Sequence, residues 1–189
     1  MTTDSTQLVN ECLIALPHAE DMGVFTRSVT LICQQDDDGA LGIVINRPSE
    51  LTVGEVFDQL GIETADSALR SQIVLQGGPV HTERGFVLHD GGMQWDSSMQ
   101  IADGLFLTTS REVLEALGRG DGPGKSLIAL GCAAWSQGQL EGELAENVWL
   151  TAPADPSLLF EVPLEMRWQT AAGSIGVDFA RLTDYAGHA

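Results

Sequence analysis

Short apolar runs recur along the chain, and they are the feature that most constrains its fold. The runs are rich in Val, Ile and Leu, a composition typical of strands with buried faces. They predict strands at Leu13–Leu16, Val29–Cys33, Leu41–Ile45, Ile73–Leu75, Phe86–Leu88, Leu105–Leu107, Leu127–Leu130 and Val148–Leu150.

One link between two of these runs predicts a β-hairpin. Val29–Gln35 and Ala40–Asn46 are joined by Asp36-Asp37-Asp38-Gly39. The Asp-Gly pair supplies a residue that tolerates positive φ, as a tight turn requires. We therefore expect the two strands to pair, with the three carboxylates of the turn in solvent.

Helix signals lie between the apolar runs. Thr52 and Glu55 have the spacing of a capping box, and Gly61 offers a left-handed stop. Two similar boxes and two prolines suited to a first helical turn predict four further starts. These signals are Thr109 with Glu112 (and Gly118 as the stop), Ser136 with Gln139, Asp155-Pro156, and Val162-Pro163, with Arg167 and Trp168 on the last helix.

Strands and helices are mixed without strict alternation, which predicts an α/β fold of the α+β type. We expect a mixed or largely antiparallel sheet flanked by helices. A chain of 189 residues fits one domain, and no repeat or break in composition marks a second. The predicted organisation is a single compact domain over residues 1–177, followed by a polar, loosely ordered tail over residues 178–189.

The net charge of −18 restricts the classes of partner. A surface this acidic repels nucleic-acid phosphate and anionic lipid headgroups, and no run of bases offsets it. Three widely spaced cysteines without a C-x-x-C pair indicate a reduced, cytoplasmic protein. The sequence shows neither a signal-peptide pattern nor an apolar run long enough to span a membrane.

Four groups of residues resemble chemical sites without matching them. Gly122–Ser126 resembles the end of a phosphate-binding loop, but Arg119 stands where the first glycine belongs. Cys132 follows a predicted strand, and burial is favoured over a thiol nucleophile with His18, His81 or His89 as its base. His81, Glu83, His89 and Asp90 could converge on a metal if their strands and turns are adjacent, but without a paired metal-ligand spacing they are read as ordinary polar residues. Glu143 and Glu146 share a helix face that could serve acid–base chemistry and is read as a solvated face. No cofactor is expected.

Acid-free segments are the most informative part of the charge pattern. Ala40–Ser49, Ala68–Thr82 and Gly122–Leu140 contain no Asp or Glu, yet each includes loop-type residues. If these loops meet, with Arg47 and Arg84 nearby, they form a neutral-to-basic notch able to take an anion or an acidic peptide. The alternative, that the loops lie apart and only shape turns, is equally compatible with the sequence.

The same segments resemble the AlgH/YqgE family of bacterial proteins. The matching blocks are Leu13–Pro17, Phe25–Val29, Gly39–Pro48, Gly77–Val80, Arg84–His89, Trp135–Glu141 and Asn147–Leu150. The chain departs from the expected pattern at Cys132 and Ala134, where an aromatic residue and a glycine are typical. The resemblance implies a compact α/β fold, no assigned catalytic residue and an association with regulation of alginate, an exopolysaccharide; members often carry the label of transcriptional regulator.

The leading hypothesis is a regulatory protein that binds a protein partner. The alternatives are a site for a nucleotide or another anionic metabolite, with or without hydrolysis, and a regulator that contacts DNA. Catalysis is left open, although a non-enzymatic role is favoured. The candidate binding residues are Asn46, Arg47, Pro48, Gly77, Gly78, Pro79, Arg84, His89, Trp135, Gln137, Gly138, Gln139 and Glu141.

Overall fold

The computed structural model describes residues 7–17, 22–91 and 95–185, so His18 and residues 186–189 lie outside the description. The described strands are β1 (Glu11–Ala15), β2 (Val29–Asp36), β3 (Gly39–Val44), β4 (Pro48–Thr52), β5 (Ile73–Gln76), β6 (Val80–Asp90), β7 (Ser98–Ala102), β8 (Leu105–Thr108), β9 (Ser126–Ser136) and β10 (Trp149–Pro153). The described helices are α1 (Val53–Leu60), α2 (Ser67–Ser71), α3 (Arg111–Arg119), α4 (Gln139–Ala145), α5 (Pro156–Phe160), α6 (Arg167–Ser174) and α7 (Phe179–Tyr185). All eight predicted strands are confirmed.

The strands form one sheet in the order β10-β1-β2-β3-β9-β6-β8-β7, with β5 pairing with β9 and β4 pairing with β5. The pairings are antiparallel except for the parallel pair β5–β9. The predicted mixed, largely antiparallel sheet is therefore confirmed. So is the hairpin, in which Asp36 pairs with Gly39 and the Asp36 Oδ1 accepts a 2.9 Å hydrogen bond from the Asp38 amide.

Helices cover both faces of the sheet. Successive side chains of a strand point to opposite faces, so each strand contributes apolar residues to the packing on both sides. On one face, Cys12 and Ile14 belong to the cluster that includes Leu159 of α5 and Trp168 of α6. On the other face, α1–α3 pack over one half of the sheet, and α4 packs over the half that contains Leu13. The strands are thus buried on both sides, which explains their nearly continuous apolar runs.

Helix α1 has the predicted capping box. Thr52 Oγ1 accepts a hydrogen bond from the Glu55 amide at 3.3 Å, and the Glu55 carboxylate accepts one from the Thr52 amide at 2.8 Å. Gly61 ends the helix at φ +68°. The predicted start at Asp155-Pro156 is also confirmed, with the Asp155 carboxylate bonded to the Ser157 amide.

Two other helix boundaries were predicted wrongly. Helix α3 starts after Ser110, since the Thr109 amide still donates to Ser97 beside the sheet. It continues through Gly118 and ends at Arg119, with Gly120 as its left-handed cap. Gly118 serves close packing instead, since a Cβ there would lie 2.8 Å from Ile62. Helix α4 starts after Gly138, because Ser136 is still part of β9.

The C-terminal region is more ordered than predicted. Pro163 precedes a single 3-10 turn, Leu164–Met166, which leads into α6. Helix α7 follows within the predicted tail, and its Phe179 stacks on Trp168 with ring centroids 4.2 Å apart. None of the described helices is long and apolar enough to cross a membrane.

Candidate functional site

A cleft of about 500 Å³ lies where the link from β3 to β4 meets the start of β2, the end of β5 and helix α6. We call it the arginine cleft. It is lined by Thr26, Arg27, Asn46, Arg47, Pro48, Gln76, Leu164, Glu165, Trp168 and Gln169. The predicted candidates Asn46, Arg47 and Pro48 therefore share one concave surface.

Asn46 holds the floor of the cleft together. Its Oδ1 accepts a 2.8 Å hydrogen bond from the Val29 amide, and its Nδ2 donates to the Arg27 carbonyl at 2.9 Å. Both ends of the amide are thus engaged within the protein. We conclude that Asn46 positions Arg27 against the β3–β4 link, and each end of its amide keeps one further hydrogen-bonding position.

Arg47 is half-buried and fixed in position. Its Nη2 donates to the Thr26 backbone carbonyl at 3.0 Å, and its own backbone carbonyl accepts a hydrogen bond from the backbone N–H of Gln76 at 2.8 Å. A guanidinium has several more N–H donors on the same planar fork, suited to a carboxylate or phosphate. The side chain is therefore oriented while much of its binding capacity stays available.

Arg27 adopts the left-handed backbone conformation at φ +53°, which is uncommon for a residue other than glycine. Its guanidinium lies 5.4 Å from the centroid of the Trp168 ring, within the range of a cation–π contact. Trp168 is itself fixed, because its Nε1 donates to the Ala15 carbonyl at 2.8 Å. Backbone strain of this kind is often found at ligand sites.

Arg167 is buried directly behind the cleft. It donates from Nη1 to the Ile45 carbonyl and from Nε to the Val162 carbonyl, the latter at 2.9 Å. Burial lowers the pKa of Arg167 to about 10, so the group stays protonated at neutral pH. These bonds tie α6 to the chain next to Asn46 and add a third positive charge near the site.

The pairing of the nine basic side chains singles out this cleft. Five form ion pairs with nearby carboxylates: Arg70, Arg111, Arg119, Lys125 and Arg181. Among the described residues, the other four have no ion pair: Arg27, Arg47, Arg84 and Arg167. Two of these four, Arg27 and Arg47, line the arginine cleft, and Arg167 is buried behind it. The lining also holds one carboxylate, Glu165, so positive charge exceeds negative charge there on an otherwise acidic protein.

The predicted glycine loop has a structural role. Gly77 and Gly78 are buried; Gly77 donates to Leu130 and accepts from Val44, both at 2.8 Å. A Cβ on Gly78 would lie 2.2 Å from the Cys132 backbone. The glycines thus allow close contact with β9 and do not present amides to a ligand. Pro79 follows them and is exposed.

Arg84 and His89 lie on β6, outside the cleft. Arg84 is exposed where the pairing with β9 slips, with its guanidinium 5.6 Å from the Phe86 ring centroid. His89 is fully buried: its Nδ1 lies 2.8 Å from the Asp90 carbonyl and its Nε2 lies 2.7 Å from Thr108 Oγ1. A carbonyl can only accept, so Nδ1 carries the proton.

The third predicted loop lies at the opposite end of β3. Trp135 pairs with Ala40, and at strand spacing six residues place it roughly 20 Å from Asn46. Trp135 is buried, and Gly138 is the N-cap of α4. Gln139 Oε1 accepts a hydrogen bond from the Ser136 backbone amide, and the Glu141 carboxylate accepts one from the Gln35 side chain. Gln137 lies in the turn between them. The three loops therefore do not form one notch.

Glu143 was misread as part of a solvated face. Its Oε2 accepts hydrogen bonds from the Trp135 and Trp149 indoles at 2.9 and 2.8 Å, and its Oε1 accepts one from Gln139 at 3.0 Å.

Three residues that line the arginine cleft were not predicted from the sequence: Arg27, Glu165 and Trp168. Arg27 could have been found, since it lies in the block Phe25–Val29 that carries the family resemblance.

Among the described residues, no hydrogen bond joins Cys132 to a histidine. Cys132 is buried, and burial raises the pKa of its thiol, with Arg84 opposing the shift. Gly122–Ser126 follows α3 and leads into β9, the reverse of a phosphate-binding loop. Over the described part of the chain, no three His, Cys, Asp or Glu side chains are placed to hold a metal ion.

Comparison with known proteins gives the family. The sequence profile described as AlgH-like matches residues 12–180. The chain belongs to the AlgH-like family. AlgH-like relatives described as UPF0301 proteins include one from Xanthomonas euvesicatoria pv. vesicatoria, 60% identical over all 189 residues of both chains, and one from Xanthomonas oryzae pv. oryzae at 61%.

Solved structures agree with this AlgH-like assignment. The solution structure of the AlgH protein from Pseudomonas aeruginosa matches with a TM-score of 0.79 and 44% identity, and the match covers all of both chains. The crystal structure of DIP2367 from Corynebacterium diphtheriae has a TM-score of 0.68 and 22% identity, covering 87% of this chain and 85% of that one. The second likeness shows a shared fold only.

Proposed function

We propose that this AlgH-like chain is a cytoplasmic regulatory protein, linked to exopolysaccharide (alginate) production, that acts by binding a protein partner. The arginine cleft takes an acidic group from a segment of that partner. One observation carries the proposal: of the four bases without an ion pair in the described chain, two line one cleft and a third, Arg167, is buried behind it. Elsewhere the basic groups are neutralised, apart from Arg84.

The composition of the cleft and its rim favours a protein partner. Arg, Trp and Met are enriched in protein interfaces, and here Arg27, Arg47 and Trp168 share the cleft. Met166, next to Glu165 in the chain, is 50% exposed. A transcriptional role would operate through such a partner, because a net charge of −18 opposes direct contact with DNA.

The test compares fluorescent peptides that carry Glu or Gln at one position, with anisotropy as the measurement. We expect the Glu peptides to bind the native protein more tightly. Arg47→Gln should weaken that binding about tenfold or more, because a charge-assisted pair is lost. Arg84→Gln is the matched control, since Arg84 also lacks an ion pair among the described residues but lies outside the cleft.

Arg47→Lys separates charge from geometry and should retain part of the affinity, because a lysine keeps the charge but not the planar fork. Circular dichroism of each variant checks that it is folded. Equal binding of Glu and Gln peptides, or equal losses in Arg47→Gln and Arg84→Gln, would refute the proposal.

A small anionic metabolite is the second candidate, with a specific observation behind it. The cleft volume of about 500 Å³ falls within the range typical of small-molecule sites. A panel of nucleotides and polycarboxylates should then raise the melting temperature of the native protein but not of Arg47→Gln. The absence of any shift across the panel would exclude those metabolites.

A further inference from the structure

Glu165 is a carboxylate in the wall of a cleft whose other charged lining residues are Arg27 and Arg47, and it forms an ion pair with neither. We propose that the arginine cleft recognises a dipolar segment, with one anionic and one cationic group close together, rather than a run of acids. The inference rests on the proposed function, since it specifies the chemistry of the segment that the same cleft binds.

Glu165 is the group in the cleft that would bind the cation of the ligand. The side chain is exposed and has no hydrogen bond or ion pair within the described ranges. An anion placed on Arg27 and Arg47 is repelled by this carboxylate when it arrives alone. An ammonium or guanidinium group next to that anion turns the repulsion into an attraction, so the cleft favours the pair of charges.

Two neutral amides extend the fit to a peptide. Gln76 and Gln169 line the cleft, both are exposed, and no partner of their side-chain amides occurs in the described chain. Each amide can both donate to a carbonyl and accept from an N–H, which are the groups of a peptide backbone. Asn46 differs from them, because each end of its amide already makes one hydrogen bond within the protein.

The charge of the whole protein points the same way. Charges are screened over ~8 Å at physiological ionic strength, so a ligand responds to the surface immediately around the cleft as well as to its lining. A run of acids would extend from the cleft onto a body with a net charge of −18 and would be repelled there. A segment with balanced charges avoids this repulsion.

The experiment uses three fluorescent peptides that differ at two positions four residues apart: Glu with Lys, Glu with Gln, and Gln with Lys. Each is titrated with the native protein, Glu165→Gln, Arg47→Gln and Glu146→Gln. Glu146 is an exposed carboxylate outside the cleft, so Glu146→Gln controls for the change in net charge.

For the native protein we expect the Glu–Lys peptide to bind at least about fivefold more tightly than either single-charge peptide. Glu165→Gln should weaken binding of the Glu–Lys peptide and strengthen binding of the Glu–Gln peptide, whereas Glu146→Gln should leave their order unchanged. If binding needs Arg47 and yet Glu165→Gln leaves the order unchanged, the dipolar inference is wrong and the proposed function stands. If binding is indifferent to Arg47, both are wrong.

Discussion

The carboxylate of Glu143 accepts hydrogen bonds from two indole nitrogens that belong to different strands. Trp135 lies on β9 and Trp149 on β10, and their rings meet with centroids 6.4 Å apart. Phe25 completes the aromatic group, 5.7 Å from Trp149. An ionised acceptor strengthens each of these bonds, so Glu143 joins α4 to two strands of the sheet.

Glu143→Gln should destabilise the fold. The amide oxygen is a weaker acceptor and its NH₂ group competes for the same position, so we expect a loss of about 1–2 kcal/mol in the free energy of unfolding. Urea unfolding followed by circular dichroism measures this. Glu146→Gln is the control, because it removes the same charge from the same helix end, where the side chain is exposed. Equal stability of the two variants would contradict the role assigned to Glu143.

At the scale of elements, α1 and α3 differ in whether the hydroxyl before the helix makes a capping hydrogen bond. Thr52 accepts the Glu55 amide ahead of α1. Ser110 precedes α3 without a capping bond, and its Oγ is buried with no hydrogen-bond partner in the described structure. One hydroxyl therefore stabilises its helix, whereas the other is buried without compensation.

The two corresponding alanine variants should differ in sign. Thr52→Ala should cost about 1 kcal/mol of stability, as the loss of a capping side chain usually does. Ser110→Ala should be neutral or slightly stabilising, because it removes a buried polar group that has no partner. Thermal unfolding of both variants checks this, and a larger loss in Ser110→Ala would show that its hydroxyl is bonded in solution.

The limits of sequence prediction also appear at this scale. Strands β4 and β7 were missed because Pro48–Thr52 and Ser98–Ala102 contain no apolar run, and each pairs with only one neighbour. Their extended conformation follows from pairing and not from local composition. By contrast, the capping box before α1 was predicted correctly, because all of its contacts lie within one turn.

The same reasoning applies to the candidate site. Asn46 and Arg47 were predicted because they stand in an acid-free segment of the sequence. The opposite wall of the cleft was not predicted, since Arg167 joins Ile45 across 122 positions of the chain. Nothing local in the residues around Glu165 and Trp168 indicates which loop they face. Charge pattern thus found one half of the cleft, and only tertiary packing supplies the other.

For the molecule as a whole, 27 acids against nine bases produce repulsion within the folded protein. Salt screens such repulsion, so we expect the melting temperature to rise by a few degrees, roughly 2–5 °C, between 10 and 200 mM NaCl. Scanning calorimetry at the two concentrations measures the shift. A double variant, Asp37→Asn with Glu146→Gln, removes two exposed charges and should melt higher at low salt, with a smaller response. A melting temperature that falls with salt would contradict this.

The position of β1 has a consequence for how the protein is made. This strand lies between β2 and β10, and its Ala15 pairs with Trp149. A ribosome adds roughly 5–20 residues per second, so roughly 7–30 s separate the synthesis of these two partners. During that interval the first strand has an open edge and an uncovered apolar face on the nascent chain. Protection by a chaperone at the ribosome would therefore matter more for β1 than for the strands whose partners follow closely in the chain.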